Sequence, residues 1–200
     1  MGQVFRQAEQ YLDRLDKGVF VEIGTARDGD DDSTHTLRSW ANRLGKTFYT
    51  VDIDPRWTER AKMLYYDNLV AVNSSGEDFL TKFSRGTEFI SLLYLDNFDW
   101  DWHPDRSEAF VRDQQDRYRE LGLEMTNVNS QRAHLRQAEL AVECLSGTCL
   151  VICDDTWYNP HWGHYSGKSG AVVPFLLNRR FEVLYTEEQP VYGTILARGL

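Results

Sequence analysis

Carboxylates close the apolar runs of this chain. Val19-Phe20-Val21 leads into Glu22-Ile23-Gly24, and Phe48-Tyr49-Thr50-Val51 finishes on Asp52. Phe89 to Leu95 is almost continuously apolar and finishes on Asp96, while Cys149 to Cys153 is closed by Asp154 and Asp155. Runs of this length and composition read as strands. In an open α/β sheet, ligands bind beyond the carboxyl ends of the strands. A carboxylate at such a tip can accept hydrogen bonds from both hydroxyls of a ribose, face a cationic group, or share in holding a hard cation.

The segments between these runs must position the acids. Residues 3 to 16 read as an opening helix with Val4, Ala8, Tyr11, Leu12 and Leu15 on one face. After Glu22 comes a loop carrying Gly24, Ala26 and Gly29. Ser33 or Thr34 then caps a helix whose apolar residues Leu37, Trp40, Ala41 and Leu44 fall at i, i+3, i+4 and i+7. Gly45 ends it, and the strand to Asp52 completes a β-α-β unit. Pro55 opens a helix around Trp57, Ala61 and Leu64. Leu69 to Val72 is a third strand, followed by the polar turn Asn73 to Asp78 and a helix through Phe79, Leu80 and Phe83. The polar stretch between Asp96 and Leu145 reads as two helices broken near Gly122 to Ser130. Residues 156 to 170, rich in Gly, His and large aromatics, read as a loop. A helix through Val172, Phe175 and Leu176 precedes strands Phe181 to Tyr185 and Tyr192 to Ala197, which pair as an antiparallel hairpin across Glu187 to Pro190. Strands alternating with helices and closed by a hairpin give a single α/β domain over residues 1–200, doubly wound with an antiparallel edge.

Bulk properties narrow the partners. A net charge of -9 argues against nucleic acid, which needs clustered Lys and Arg. The chain has no apolar run near a membrane span and no signal peptide, so a cytoplasmic protein without a membrane partner is expected. Cys144, Cys149 and Cys153 lie in apolar segments and read as reduced core residues. A small-molecule partner fits best, and a homo-oligomer stays open.

The spacing Gly24-x-Ala26-x-x-Gly29 approaches a dinucleotide fingerprint, but Asp30, Asp31 and Asp32 crowd the place where a pyrophosphate needs positive potential. A ligand with a sulfonium and an ammonium group suffers no such conflict. Through VEIGTARDG and TVDID, the stretch resembles motifs I and II of the class I S-adenosylmethionine-dependent methyltransferases. The resemblance covers essentially the whole chain and implies a Rossmann-like, mostly parallel seven-stranded sheet of order 3-2-1-4-5-7-6. It implies S-adenosylmethionine as cofactor, held by Glu22, Gly24 and Ala26 at its amino-acid end, Asp52 at the ribose, Ser75, Gly76 and Glu77 at the adenine, and Asp96 nearby.

In that order the strands ending in Asp96 and in Asp154-Asp155 are neighbours, so their carboxylates converge. Three uncompensated carboxylates repel, and Mg²⁺ or another divalent cation would relieve them. The pattern LDN…CDDTW resembles the metal-dependent O-methyltransferases of the catechol type and, more closely, of the macrolide-sugar type. Asp96, Asp154 and Asp155 are therefore the expected metal ligands, and methyl transfer to an oxygen of a metal-held small molecule is the expected reaction. The catechol type carries a lysine three residues after its first metal Asp, where this chain has Asp99. The general base is accordingly sought among His103, His161, His164 and Lys168. The run Gly163 to Ser169 ends in G-K-S, but its glycine spacing and its distance from the strand do not make a phosphate loop. It reads instead as a lid, with Trp157, Tyr158, Trp162 and Tyr165 as stacking surface. A metal-dependent hydroxylase on the same fold and a non-catalytic cofactor-binding module are the other readings.

Overall fold

A computed structural model of the chain describes residues 2–27, 33–64, 67–101, 107–186 and 193–200. Gly29, the acidic run Asp30–Asp32, His103 and the turn Glu187–Pro190 lie outside them. Along the chain run α1 (Gln3–Glu9), β1 (Val19–Ile23), α2 (Ser33–Arg43), β2 (Phe48–Asp52), α3 (Pro55–Lys62), β3 (Leu69–Asn73), α4 (Gly76–Phe83) and β4 (Ile90–Leu95). There follow α5 (Glu108–Glu120), α6 (Asn127–Ala141), β5 (Leu145–Cys153), β6 (Thr156–Asn159), β7 (His164–Gly167), α7 (Val172–Leu177), β8 (Glu182–Thr186) and β9 (Thr194–Arg198). The opening helix is shorter than its apolar pattern: it ends at Glu9, and Leu12–Arg14 forms a 3-10 turn.

Seven strands form one sheet of order β3-β2-β1-β4-β5-β9-β8. Strands β1 to β5 run parallel, and β9 is antiparallel to both β5 and β8. The expected numbering 3-2-1-4-5-7-6 becomes 3-2-1-4-5-9-8 because β6 and β7 intervene. Residues 156 to 170, expected to be a loop, contain these two strands paired as a separate antiparallel ribbon.

Helices cover both faces, so every residue of β1 and β4 is buried. This is why these strands read as unbroken apolar runs. One core layer joins Val21, Ile23, Leu93 and Val151 to α4, α6 and α7, and the other joins Phe20, Phe48, Leu92 and Ile152 to α1 and α2. All three cysteines are free and buried, as expected. No helix among the described residues is long and apolar enough to cross a membrane.

Strand register decides which tips meet. Leu95 lies opposite Ile23 of β1 and opposite Cys153 of β5. The residues just beyond, Gly24, Asp96 and Asp154, are therefore brought together at one end of the sheet.

Candidate active site

The β1 tip is packed without slack. Gly24 adopts φ +100°, and a Cβ there would stand 2.6 Å from the Asn97 nitrogen and the Asp96 carbonyl. Only glycine lets β1 and β4 approach this closely. Glu22, just before it on β1, is fully buried. Its carboxyl accepts hydrogen bonds from the hydroxyls of Ser33 (2.5 Å), Thr34 (2.6 Å) and Thr50 (2.6 Å). Burial outweighs these bonds and pushes its pKa up to about 8, so Glu22 is uncharged at neutral pH. The expected contact of Glu22 with a cofactor's cationic end is thereby corrected: the side chain is enclosed and ties β1, β2 and the start of α2 together. Thr34 also accepts from the Ala26 N–H at 2.9 Å, which fixes the loop after Gly24.

Asp52 behaves differently. It stands at the tip of β2 and is held by two backbone donors, Thr25 N–H at 3.1 Å and Asp54 N–H at 2.7 Å. Burial raises its pKa to about 6, against those bonds and the nearby Arg27. It lines a cavity of about 260 Å³ whose other walls include Ile23, Ser75, Gly76, Glu77, Asn97 and Phe98. The structure therefore brings Asp52 and the Ser75–Glu77 turn to one cleft, as expected from the strand ends. Ser75 is also the N-cap of α4, its hydroxyl accepting from Asp78 N–H at 3.1 Å. Gly76 packs so closely that a Cβ would meet Ile23 Cγ2 at 2.6 Å.

A second cavity of about 420 Å³ adjoins the first and shares Arg27, Asp52, Ile53 and Tyr118 with it. Residues that the sequence did not single out shape this side. Arg27 pairs with Asp99 at 2.7 Å, and the Asp99 N–H donates to the Tyr118 hydroxyl at 2.6 Å. Helix α5 is clamped over the cleft by Arg117, which reaches both oxygens of Asp54 at 2.7 and 2.9 Å. Burial would raise the Asp54 pKa, but Arg117 and Arg56 hold it well below the usual carboxylate range. None of these pairings follows from local pattern, since Arg117 is 63 residues from Asp54.

The acids at the tips of β4 and β5 converge as expected, but not around a metal. Lys168, whose side chain is 4% exposed, places Nζ 2.8 Å from Asp96 Oδ1, 2.9 Å from Asp155 Oδ2 and 3.9 Å from Asp154 Oδ2. The expected metal site of Asp96, Asp154 and Asp155 is corrected accordingly, because an ammonium already fills and compensates it. Among the described residues no group of His, Cys, Asp and Glu is arranged to hold an ion. The divalent cation does not fit these residues as they stand. Lys168 is likewise corrected as a general base. Burial alone would lower its pKa, but the three carboxylates hold it well above the ordinary value, so Nζ has no free lone pair. Burial and the charges of Asp96 and Asp155 raise the Asp154 pKa well above the ordinary carboxylate value. The Tyr94 hydroxyl donates to Asp96 Oδ2 at 3.3 Å.

Lys168 reaches this position through the β6–β7 ribbon. Asp155 has φ +43°, and Thr156 pairs with Gly167, so the chain returns to its starting point. Lys168 N–H then donates to the Asp155 carbonyl at 3.0 Å. The tip of the ribbon carries the two described candidate histidines. His161 and His164 are exposed, and the His164 ring stacks on Trp162 with 5.6 Å between centroids. His164 borders a bowl of about 620 Å³ with Trp100, Trp157, Trp162 and Tyr165. Neither histidine is bonded to the Asp96 cluster. A buried histidine was missed instead: His134 on α6 bonds through Nδ1 to the Ser130 carbonyl at 2.7 Å. Burial lowers its pKa to about 4, and the charges of Lys168, Asp96 and Asp155 act on it as well.

No protein-family model and no curated protein matches this sequence. Solved structures do match in shape. The O-methyltransferase NovP has a TM-score of 0.57 at 11% identity, over 98% of this chain and 77% of that one. The methyltransferase PaMTH1 of Podospora anserina, solved with S-adenosylhomocysteine (SAH) bound, has a TM-score of 0.55 at 15% identity, over 98% and 77%. The N-methyltransferase NodS of Bradyrhizobium japonicum has a TM-score of 0.54 at 11% identity, over 98% and 94%. Likeness at such identities concerns architecture alone, and the Rossmann-like α/β architecture of this chain is shared with these three structures.

Proposed function

We propose that the protein transfers a methyl group from S-adenosylmethionine to an oxygen of a small molecule, without a metal ion. The observation that carries the reading is the cleft between Asp52 and the Ser75–Glu77 turn, at the carboxyl ends of β1 to β4. The donor set suits an adenosyl group. Asp52 presents a carboxylate whose two backbone bonds leave acceptor capacity for the two ribose hydroxyls. Ser75, Gly76 and Glu77 would line the base, and the hydrocarbon walls from Ile23 and Phe98 would cover its faces. When bound, the cofactor supplies an electrophilic methyl group on a cationic sulfonium.

The chain's own residues supply position and proton control. Asp96, 2.8 Å from Lys168 Nζ, sets a carboxyl group at the tip of β4 that suits a cationic ligand. Asp155, whose carboxylate lies 2.9 Å from Lys168 Nζ, is assigned the acceptor's proton. The aromatic bowl on the ribbon would take the body of the acceptor and exclude water from it.

Methyl transfer from a labelled donor to a panel of hydroxylated small molecules tests the reading. Turnover in the presence of chelator, lowered at least about 100-fold by Asp155→Asn, is expected for loss of a general base. A wild-type protein that binds the donor yet methylates none of the panel while hydroxylating one of them would contradict it.

A further inference from the structure

We propose that Lys168 is a built-in cation standing where a divalent ion would bridge Asp96, Asp154 and Asp155, and that this site takes no metal in the native protein. The inference concerns charge at the tips of β4 and β5 and holds whether or not the protein transfers methyl groups.

Geometry excludes joint occupancy. A hard divalent ion sits about 2.0–2.6 Å from its carboxylate oxygens. Nζ of Lys168 already lies at charge-assisted hydrogen-bond distance from Asp96 and Asp155, with Asp154 next to them. An ion shared by the same oxygens would press two cations together within a few ångströms. One of them must leave.

The backbone keeps Lys168 in place. Its N–H donates to the Asp155 carbonyl at 3.0 Å. The Gly167 carbonyl before it accepts from Gln131 Nε2 at 3.2 Å, and the Ser169 N–H after it donates to Thr156 Oγ1 at 3.1 Å. Swinging the ammonium out would strand its buried stem or break this ladder. The contacts converge on one resident cation: Asp96 and Asp155 each face Nζ closely, whereas Asp154 stands 3.9 Å away. Lysine thus does permanently what an ion would do reversibly, and the carboxylates stay together without dependence on metal supply.

The experiment uses the whole chain and needs no methyl donor. Wild type and Lys168→Ala are melted in chelator and in Mg²⁺, Mn²⁺ or Ca²⁺, and Mn²⁺ is titrated into each with electron paramagnetic resonance as the readout. Wild type should show no ion-dependent melting shift and no saturable Mn²⁺ binding. Lys168→Ala, which takes the ammonium away from Asp96, Asp154 and Asp155, should gain an ion site and rise by roughly 5–10 °C in Tm at an ion concentration about 100-fold above Kd. Recovery of this variant as folded protein only when ion is present supports the same conclusion. Should it fold in neither condition, Lys168→Ser gives the same comparison. Saturable Mn²⁺ binding by wild type that is lost in Asp154→Asn/Asp155→Asn would overturn the proposal. So would a folded lysine variant whose melting ignores all three ions.

Discussion

A Cβ placed on Gly167 would stand 1.8 Å from the carbonyl oxygen of Asp155. That approach closes the β6–β7 ribbon onto the residue just before its first strand and delivers Lys168 to the acids. The backbone of Gly167 is also left-handed, at φ +94°. Gly167→Ala should therefore cost about 2–4 kcal/mol through backbone strain and overlap together. For a chain of this size that is a fall of roughly 5–15 °C in Tm, readable by calorimetry. A Tm within a degree or two of wild type would mean that the ribbon does not close this tightly.

Glu22 makes stability depend on pH. Its folded pKa of about 8 lies above the ordinary 4.5. Between those values the folded chain keeps a proton that the unfolded chain releases, so this group favours folding most below about pH 5 and loses that contribution as pH rises through 8. Glu22→Gln cannot titrate. Its stability relative to wild type should improve on going from pH 5 to pH 8, by about 3–4 kcal/mol. Urea unfolding of both proteins at three pH values checks this. Parallel curves would show that the carboxyl is ionised in the folded state.

How far these features could be read from sequence depends on whether their cause is local. β1 and β4 were legible because burial on both faces demands unbroken apolar runs. The placing of Asp52, Asp96, Asp154 and Asp155 followed, since a residue at a parallel strand's tip must lie at the sheet's carboxyl end. The ribbon was not legible. Its strands are four residues each, carry Gly, Asn and only partly buried tyrosines, and pair only with each other. Without that pairing Lys168 stands 13 residues beyond Asp155, with nothing to bring it back, and the acids look uncompensated. Glu22 misled for a similar reason. Two of the three hydroxyls that enclose it come from Ser33 and Thr34 at the start of α2, and the third from Thr50 in β2. His134 carried a faint signal, sharing the buried face of α6 with Ser130, Gln137, Ala138 and Ala141. A histidine on such a stripe is indistinguishable from core packing until its neighbours are known.

Asp52 and the cleft it lines decide whether this fold holds a methyl donor. Calorimetric titration of SAH into wild type and Asp52→Ala, both shown by melting to be folded, reads it directly. Wild type should bind saturably at pH 7.5, and the variant about 30- to 1000-fold more weakly, for the loss of two charge-assisted hydrogen bonds worth roughly 2–4 kcal/mol. Because the Asp52 pKa is raised to about 6, wild-type affinity should also fall as pH drops below 6, where the carboxylate takes up a proton. Equal affinity in the two proteins, or no binding of SAH by wild type, would contradict the assignment of this cleft.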